Sequence, residues 1–255
     1  MSAAEPPATP IGADLLADLA RLGPPFALEV HPVGSVPDDR WRPFGELLDA
    51  LDVRIAGVRA GLAAVSGRAD PGEVELRVAV SMTQLGLVGR LVCPALGVAV
   101  LTGGLLDLDP ARLRWQPGPG TAVALSVPAD AVGGAGALPS ELAGALAGTV
   151  LAGPVRMLVE AAGRYRLSER VLWGNVASVV HGARTLIGAG APDLLGPAEV
   201  LVAGLLDLPP LRGTSRGSPG DGFRRRSCCL VYRLAPAGTG SPTGVCGDCV
   251  LLGRA

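Results

Sequence analysis

The chain has 255 residues, 22 of them basic and 23 acidic, so its formal net charge is −1. Hydrophobic residues make up 49% of it, which excludes an intrinsically disordered protein, and the balanced charge argues against a general nucleic-acid binder. Every basic residue is Arg and the only Asn is Asn175, a bias typical of a GC-rich genome. Against that background, a residue of a suppressed type is a candidate for a specific role.

Helical periodicity alternates with extended segments in chain order. Apolar residues recur every three or four positions in the predicted helices, and Asp70-Pro71 and Ser168 are typical helix starts. Pro94 is expected to end the third helix, and Pro154 to kink the fourth. The predicted helices are 11–22, 43–65, 71–91, 140–163, 168–187 and 196–206.

Short β-branched or alternating segments, separated by Gly, Pro and Asp, predict strands near 26–30 and at 97–103, 112–117 and 121–128. The last two are joined by a Pro-Gly-Pro-Gly sequence, which predicts a hairpin. Helices on both sides of a small central antiparallel sheet indicate an α+β fold that is mostly helical.

The C-terminal part of the chain differs in composition from the rest. Residues 209–222 are rich in Pro, Gly and Ser and predict a linker. Residues 223–255 are too few for a core of their own. The sequence therefore predicts an α+β scaffold at 1–208, the linker, and a short C-terminal tail at 223–255.

No targeting or membrane-spanning segment is expected. Residues 1–10 lack the basic start and apolar core of a secretory signal. The longest uncharged apolar stretch, 91–106, is shorter than the roughly 20 residues of a span and contains Pro94, so it is interpreted as a buried core element. A cytoplasmic protein is expected, in which thiols stay reduced.

Four of the five cysteines lie in the tail. Cys228 and Cys229 are adjacent, and sixteen residues later Cys246-Gly-Asp-Cys249 forms a Cys-x-x-Cys knuckle. Four thiolates saturate one tetrahedral Zn²⁺ or one [2Fe–2S] cluster. A diiron cluster is wider and accommodates adjacent ligands more easily, but structural zinc and a redox dithiol stay open. Cys93 lies in an apolar run and is interpreted as a core residue.

This cysteine pattern resembles that of the FhuF-like ferric-siderophore reductases. The segment Leu172-Trp-Gly-Asn-Val-Ala-Ser178 is similar to part of the same family, and so is the order of helices, short strands, helices and Cys-rich tail. The spacer between the two cysteine pairs is longer than is usual for the family, with the additional residues in 236–244. Closure entropy grows only slowly with loop length, so the four ligands are carried over.

The resemblance implies a [2Fe–2S] cluster on Cys228, Cys229, Cys246 and Cys249 that reduces chelated Fe³⁺ to Fe²⁺ and so releases iron from a siderophore. Iron acquisition in the cytoplasm would then be its role. The chain has no G-x-G-x-x-G between a strand and a helix and no P-loop. An external ferredoxin, flavin or flavoprotein is therefore expected as electron donor. No membrane span is expected, which leaves room for peripheral association.

Several polar residues are candidate substrate contacts. Arg224, Arg225 and Arg226 precede the first cysteines and either attract an anionic chelate, tune the cluster, or form a solvated basic run. Arg77, Ser81 and Gln84 share one helix face, interpreted mainly as solvated but also as the wall of a polar cleft. Two further candidates, with their alternatives, are Asn175 (functional or capping, in a stripe with Ser178 and His181) and Trp173 (stacking on a chelate or core).

Two alternatives to the reductase remain. The same ligands would serve a non-enzymatic iron–sulfur electron carrier or sensor, and four thiolates would equally serve a zinc-stabilised binding protein. Visible absorption separates the zinc protein from the other two, and turnover with a ferric siderophore separates the reductase from the carrier.

Overall fold

Helices dominate the fold, which we describe from a computed structural model that covers residues 10–35, 38–118, 122–235 and 245–252. The helices are α1 (Ala13–Arg21), α2 (Phe44–Asp49), α3 (Leu51–Val65), α4 (Leu76–Thr102), α5 (Pro139–Leu146), α6 (Arg156–Gly163), α7 (Glu169–Gly190) and α8 (Leu195–Leu206). The strands are β1 (Glu29–His31), β2 (Arg42–Pro43), β3 (Leu105–Leu106), β4 (Arg114–Pro117), β5 (Val123–Pro128), β6 (Val132–Gly133), β7 (Ser215–Arg216) and β8 (Arg224–Arg225). The mostly helical α+β prediction is confirmed.

The largest sheet has four strands in the order β1-β5-β4-β2. Its β4–β5 pair is antiparallel as predicted, with Trp115 opposite Leu125, and residues 119–121 at the predicted turn lie outside the described ranges. The β1–β5 pair is parallel, so the sheet is mixed rather than wholly antiparallel. Two further sheets have two strands each, β3–β6 and β7–β8.

Helix α4 forms the centre of the scaffold and is longer than predicted. It continues through Pro94 to Thr102, so the strand predicted at 97–103 is wrong. Proline in a helix removes one backbone hydrogen bond and costs roughly 3 kcal/mol. Burial offsets that cost here, because α4 packs against α1, α3, α6 and α7 and 17 of the 22 residues from Val78 to Ala99 are buried.

The other boundaries differ in smaller ways. The helix predicted at 43–65 is interrupted at Ala50, and the one predicted from residue 71 begins at Leu76, after a short 3-10 turn capped by Asp70 and Glu73. The kink near Pro154 is confirmed. Gly153 has non-helical backbone angles inside the π-helical segment Ala147–Val155. Phe26 lies in a 3-10 turn, and the nearby strand begins only at Glu29.

Two helical segments have the length and hydropathy of a membrane span. They are Leu76–Thr102 and Pro139–Gly163, with mean hydropathies of 1.9 and 1.6 over their most apolar 18 residues. Buried core helices satisfy the same criteria, and 61% and 50% of these two windows are buried. The expectation of no membrane span stays a prediction.

The C-terminal tail packs onto the scaffold through α7. Strand β7, inside the predicted linker, pairs with β8, so that Ser215 lies opposite Arg225. Strand β8 in turn contacts α7. Leu230, after the first cysteine pair, joins Ala63, Val74 and Val78 in a small apolar cluster between α3 and α4. The described part of the tail thus packs on α7 and on an apolar surface formed by α3 and α4.

Candidate metal centre

The two cysteine pairs are brought together by backbone contacts between the halves of the tail. Cys228 and Cys229 follow β8, and the chain turns away at Leu230, whose φ of 70° lies in the left-handed region. The Cys246–Cys249 knuckle is closed by a hydrogen bond from the Cys249 amide to the Cys246 carbonyl, 3.0 Å long. The Arg225 amide donates to the Asp248 carbonyl at 3.0 Å, which joins the two halves.

Two of the sulfurs lie in direct contact. Cys229 Sγ lies 3.6 Å from Cys246 Sγ, close to the roughly 3.8 Å expected of two sulfurs on one tetrahedral metal with bonds near 2.3 Å. Burial raises the pKa of Cys228, and the nearby Cys229 and Cys249 raise it further.

Backbone amides also face the sulfurs. The Leu230 amide donates to Cys228 Sγ at 3.3 Å, and the Leu251 amide donates to Cys249 Sγ at 3.4 Å. Cys229 and Cys249 are buried, whereas Cys228 and Cys246 are partly exposed. The centre therefore has one side against the protein and one side open to solvent.

The donor set consists of sulfur, the ligand that iron–sulfur clusters use. Across residues 10–35, 38–118, 122–235 and 245–252, no group of three or more His, Cys, Asp or Glu side chains is found that could hold a metal ion. Amide hydrogen bonds to the sulfurs are also a feature of such clusters.

Arg225 is buried directly beside these sulfurs. Its side chain is 1% exposed. One Nη donates to Cys246 Sγ, and the guanidinium also bonds to Cys229. Its Nε lies 3.1 Å from Asp248 Oδ2. These partners are needed because a buried charge without them would strongly destabilise the fold.

Asn175 binds the other Nη of the Arg225 guanidinium. Asn175 Oδ1 accepts a hydrogen bond from Arg225 Nη1 at 3.0 Å, and its Nδ2 donates to Gln84 Oε1 at 2.9 Å and to Ser81 Oγ at 3.0 Å. Gln84 Nε2 donates to the Leu172 carbonyl at 3.3 Å. We call Ser81, Gln84, Asn175 and Arg225 the buried polar network; it joins α4 and α7 to the tail.

This network corrects the interpretation of Ser81 and Gln84 as part of a solvated face. They are 0% and 1% exposed, because α4 packs along α7 and this face meets Asn175. Asn175, also 0% exposed, bonds to side chains of α4 and the tail. The fold thus gives Gln84 and Asn175 no surface that a chelate could touch.

Gly174 leaves room for the tail. A Cβ at Gly174 would lie 2.0 Å from Ser227 Oγ and 3.3 Å from Ser227 Cβ, so any larger residue would force the two apart. Ser227 is buried, and its Oγ has no hydrogen-bond partner within the described ranges. Gly174 and Asn175 of the Trp-Gly-Asn segment therefore form the seat for residues 225–227.

The remaining candidate contacts differ in exposure. Trp173 is 7% exposed and belongs to the main core, with the Arg156 guanidinium 5.6 Å from its ring centroid. Arg77 is exposed on α4. Arg226 is exposed and donates to the Ser215 carbonyl at 3.0 Å. Arg224 is half-buried and donates to the Gly247 carbonyl at 3.2 Å.

A polar cavity of about 430 Å³ adjoins the knuckle. Gly247 and Asp248, between two of the cysteines, form part of its wall. His181 lines it and stacks on Phe223, with ring centroids 4.0 Å apart and planes 12° apart. Arg184, Asp221 and Arg224 also line it. The sequence singled out Arg224 and noted His181, but it did not single out Asp248, Phe223 or Arg184.

The protonation of the cysteines follows from these surroundings. The pKa of Cys229 is lowered to about 5, first by its hydrogen bond with Cys246 and then by Arg225, while that of Cys246 is raised by the same hydrogen bond. Burial raises the pKa of Cys228. Cys229 is thus the thiol that is most easily deprotonated, and it lies beside the Arg225 guanidinium. Cys93 differs, since burial raises its pKa to about 12.

A larger groove of about 940 Å³ lies between α3, α4, α7 and the β4–β5 hairpin. Its lining is mainly apolar and includes Cys93. None of the four tail cysteines lines it. It therefore lies apart from the metal centre.

Comparison with known families supports the assignment of the tail. Residues 225–251 match the family model of the FhuF 2Fe-2S C-terminal domain, and this range contains all four clustered cysteines. A search of curated proteins found no match for the chain. Iron–sulfur binding by the tail is supported by the match and by the paired sulfurs beside Arg225. The similarity to the FhuF-like family is thus located in this C-terminal segment of the chain.

Proposed function

We propose that the chain is a ferric-siderophore reductase of the cytoplasm, with a [2Fe–2S] cluster held by Cys228, Cys229, Cys246 and Cys249. The observation that carries the proposal is the contact of two of these thiols, Cys229 and Cys246, with each other and with a buried guanidinium, within a segment that matches a 2Fe-2S domain. When bound, the cluster supplies single electrons.

The residues of the tail suit this chemistry in three ways. Two thiols of opposite halves, Cys229 and Cys246, lie at a distance that fits one tetrahedral metal. The Leu230 and Leu251 amides donate to the other two sulfurs and stabilise their negative charge. The partial exposure of Cys228 and Cys246 leaves a side of the centre that a bulky chelate can approach.

The polar cavity is the proposed point of approach for the substrate. Its volume of about 430 Å³ is within the range of small-molecule sites. Gly247 and Asp248 form part of its wall. A chelate in the cavity would therefore contact residues that directly follow Cys246 and precede Cys249 in the chain. Arg224 and Arg184 supply N–H donors to the oxygen atoms of a siderophore, whereas Arg77 would contact it only from outside this cavity.

Reduction would release the iron because the chelate binds Fe²⁺ less tightly than Fe³⁺. Oxygen donors are hard ligands and hold Fe³⁺ more strongly than Fe²⁺, so adding one electron weakens every bond in the complex. The protein need not break a covalent bond. An external ferredoxin, flavin or flavoprotein would then supply the protein with its next electron.

Reoxidation tests the proposal. Protein reduced by one electron equivalent of dithionite per cluster, with no excess reductant and under anaerobic conditions, is expected to regain its oxidised spectrum when a ferric siderophore is added, with one Fe²⁺ trapped by a ferrous chelator per electron. Hydroxamate, catecholate and citrate-type complexes form the panel. Reoxidation by none of them would contradict the reductase and leave an electron carrier or sensor. Stoichiometric zinc without visible absorption would contradict both.

A further inference from the structure

Arg225, a residue of the tail, links the metal centre to the scaffold. It is the buried guanidinium that touches the sulfurs, and Asn175 and Asp248 contact the rest of its fork. Asn175 is fixed in turn by Ser81 and Gln84 on α4. The position of the charge beside Cys229 and Cys246 is therefore determined by two core helices.

Such a charge has a redox consequence. Each added electron makes a thiolate-bound iron–sulfur centre more negative, and a fixed cation that donates hydrogen bonds to the sulfurs favours the reduced form. Arg225 is well suited to this because it stays protonated and its planar fork contacts several partners at once. Asp248 has the opposite sign and lies in the same place, with its side chain 13% exposed.

We propose that Arg225 and Asp248 set the reduction potential of the centre in opposite directions, and that Asn175 is the positioning residue for Arg225. The inference rests on the iron–sulfur cluster of the proposed function but not on siderophore reduction. A protein without a cluster would contradict the proposed function, whereas an unaltered potential in the variants would contradict only this inference.

The potential of the full-length protein, followed by dye-mediated titration with EPR or absorption, provides the test. For Arg225→Gln, the equilibrium constant for reduction is expected to fall about tenfold or more, which is 59 mV for one electron. For Asp248→Asn, it is expected to rise about tenfold, because the negative charge is removed and an oxygen acceptor is retained.

Arg226→Gln is the matched control. It removes the same charge one residue further along, but Arg226 is exposed and bonds to the Ser215 carbonyl instead of a sulfur. A change of less than about threefold is expected, because exposed charges are screened by solvent. If Arg226→Gln and Arg225→Gln shift the potential equally, general electrostatics rather than the buried contact sets it, and the inference is overturned.

Asn175→Ala separates positioning from stability. It keeps the charge of Arg225 but removes the acceptor that orients it, so the potential is expected to fall by less than in Arg225→Gln. A purely structural role would lower the melting temperature and leave the potential unchanged. If Arg225→Gln retains no cluster, the sign of the shift in Asp248→Asn decides the question. No rise in that variant, or loss of the cluster in all of them, would assign the network to folding alone.

Discussion

Serine at any one of positions 228, 229, 246 or 249 is expected to abolish or severely reduce the visible absorption of the purified protein. A hydroxyl is a far poorer ligand than a thiolate at neutral pH, and four thiolates are the complete donor set of a [2Fe–2S] cluster. The Cys229 and Cys246 variants are expected to have the largest effect, because their sulfurs lie 3.6 Å apart and share the contact with Arg225. Absorption spectra and iron and sulfide analysis measure the result.

Cys93→Ser provides the control. Cys93 is buried in α4 and its pKa is raised to about 12 by burial, so the thiol stays protonated in the folded protein at neutral pH. This variant is expected to keep the spectrum and iron content of the unmodified protein. A tail variant with full iron and sulfide content would remove that cysteine from the ligand set.

Alanine at position 174 is expected to weaken the docking of the tail. The new Cβ would overlap Ser227 Oγ at 2.0 Å and press on Ser227 Cβ at 3.3 Å. Even if the hydroxyl rotates away, overpacking of this kind costs about 1–3 kcal/mol. The tail would separate from Asn175, and both the thermal stability and the cluster content of the protein are expected to fall.

Two comparisons isolate this effect. Gly182 lies in the same helix, and a Cβ there meets nothing within 4 Å among the described residues, so Gly182→Ala is expected to stabilise the helix by up to about 1 kcal/mol. Combining Gly174→Ala with Ser227→Gly removes the overlapping atoms and is expected to restore part of the loss. Additive effects in the double variant would show that residues 174 and 227 do not interact.

The periodicity of apolar residues predicted most helices, because a one-sided apolar stripe has one stable arrangement. It fails for the C-terminal part of α4, because residues 91–101 are apolar throughout and give no preferred face, and because Pro94 is a typical helix end. Tertiary burial, which no local pattern measures, keeps that helix intact to Thr102.

The metal centre was predicted to different depths. The cysteine spacing was sufficient to identify a candidate donor set, because sulfur ligands have few alternative uses in that pattern. The buried polar network was not predicted: Gln84 and Asn175 are 91 positions apart in sequence, and only the packing of α4 on α7 brings them together. The scarcity of Asn did single out Asn175, but without indicating its partner.

The seat formed by Gly174 and Asn175 makes the tail a poor candidate for transplantation. A segment carrying only residues 223–255 would bring the four sulfurs to a new host. It would leave Arg225 without the side-chain acceptor of Asn175, and Ser227 without the space that Gly174 provides. A functional graft would have to include matching residues on two host helices. Homologous tails should therefore exchange freely only between scaffolds that share this seat, and swaps elsewhere should produce a colourless or unstable hybrid.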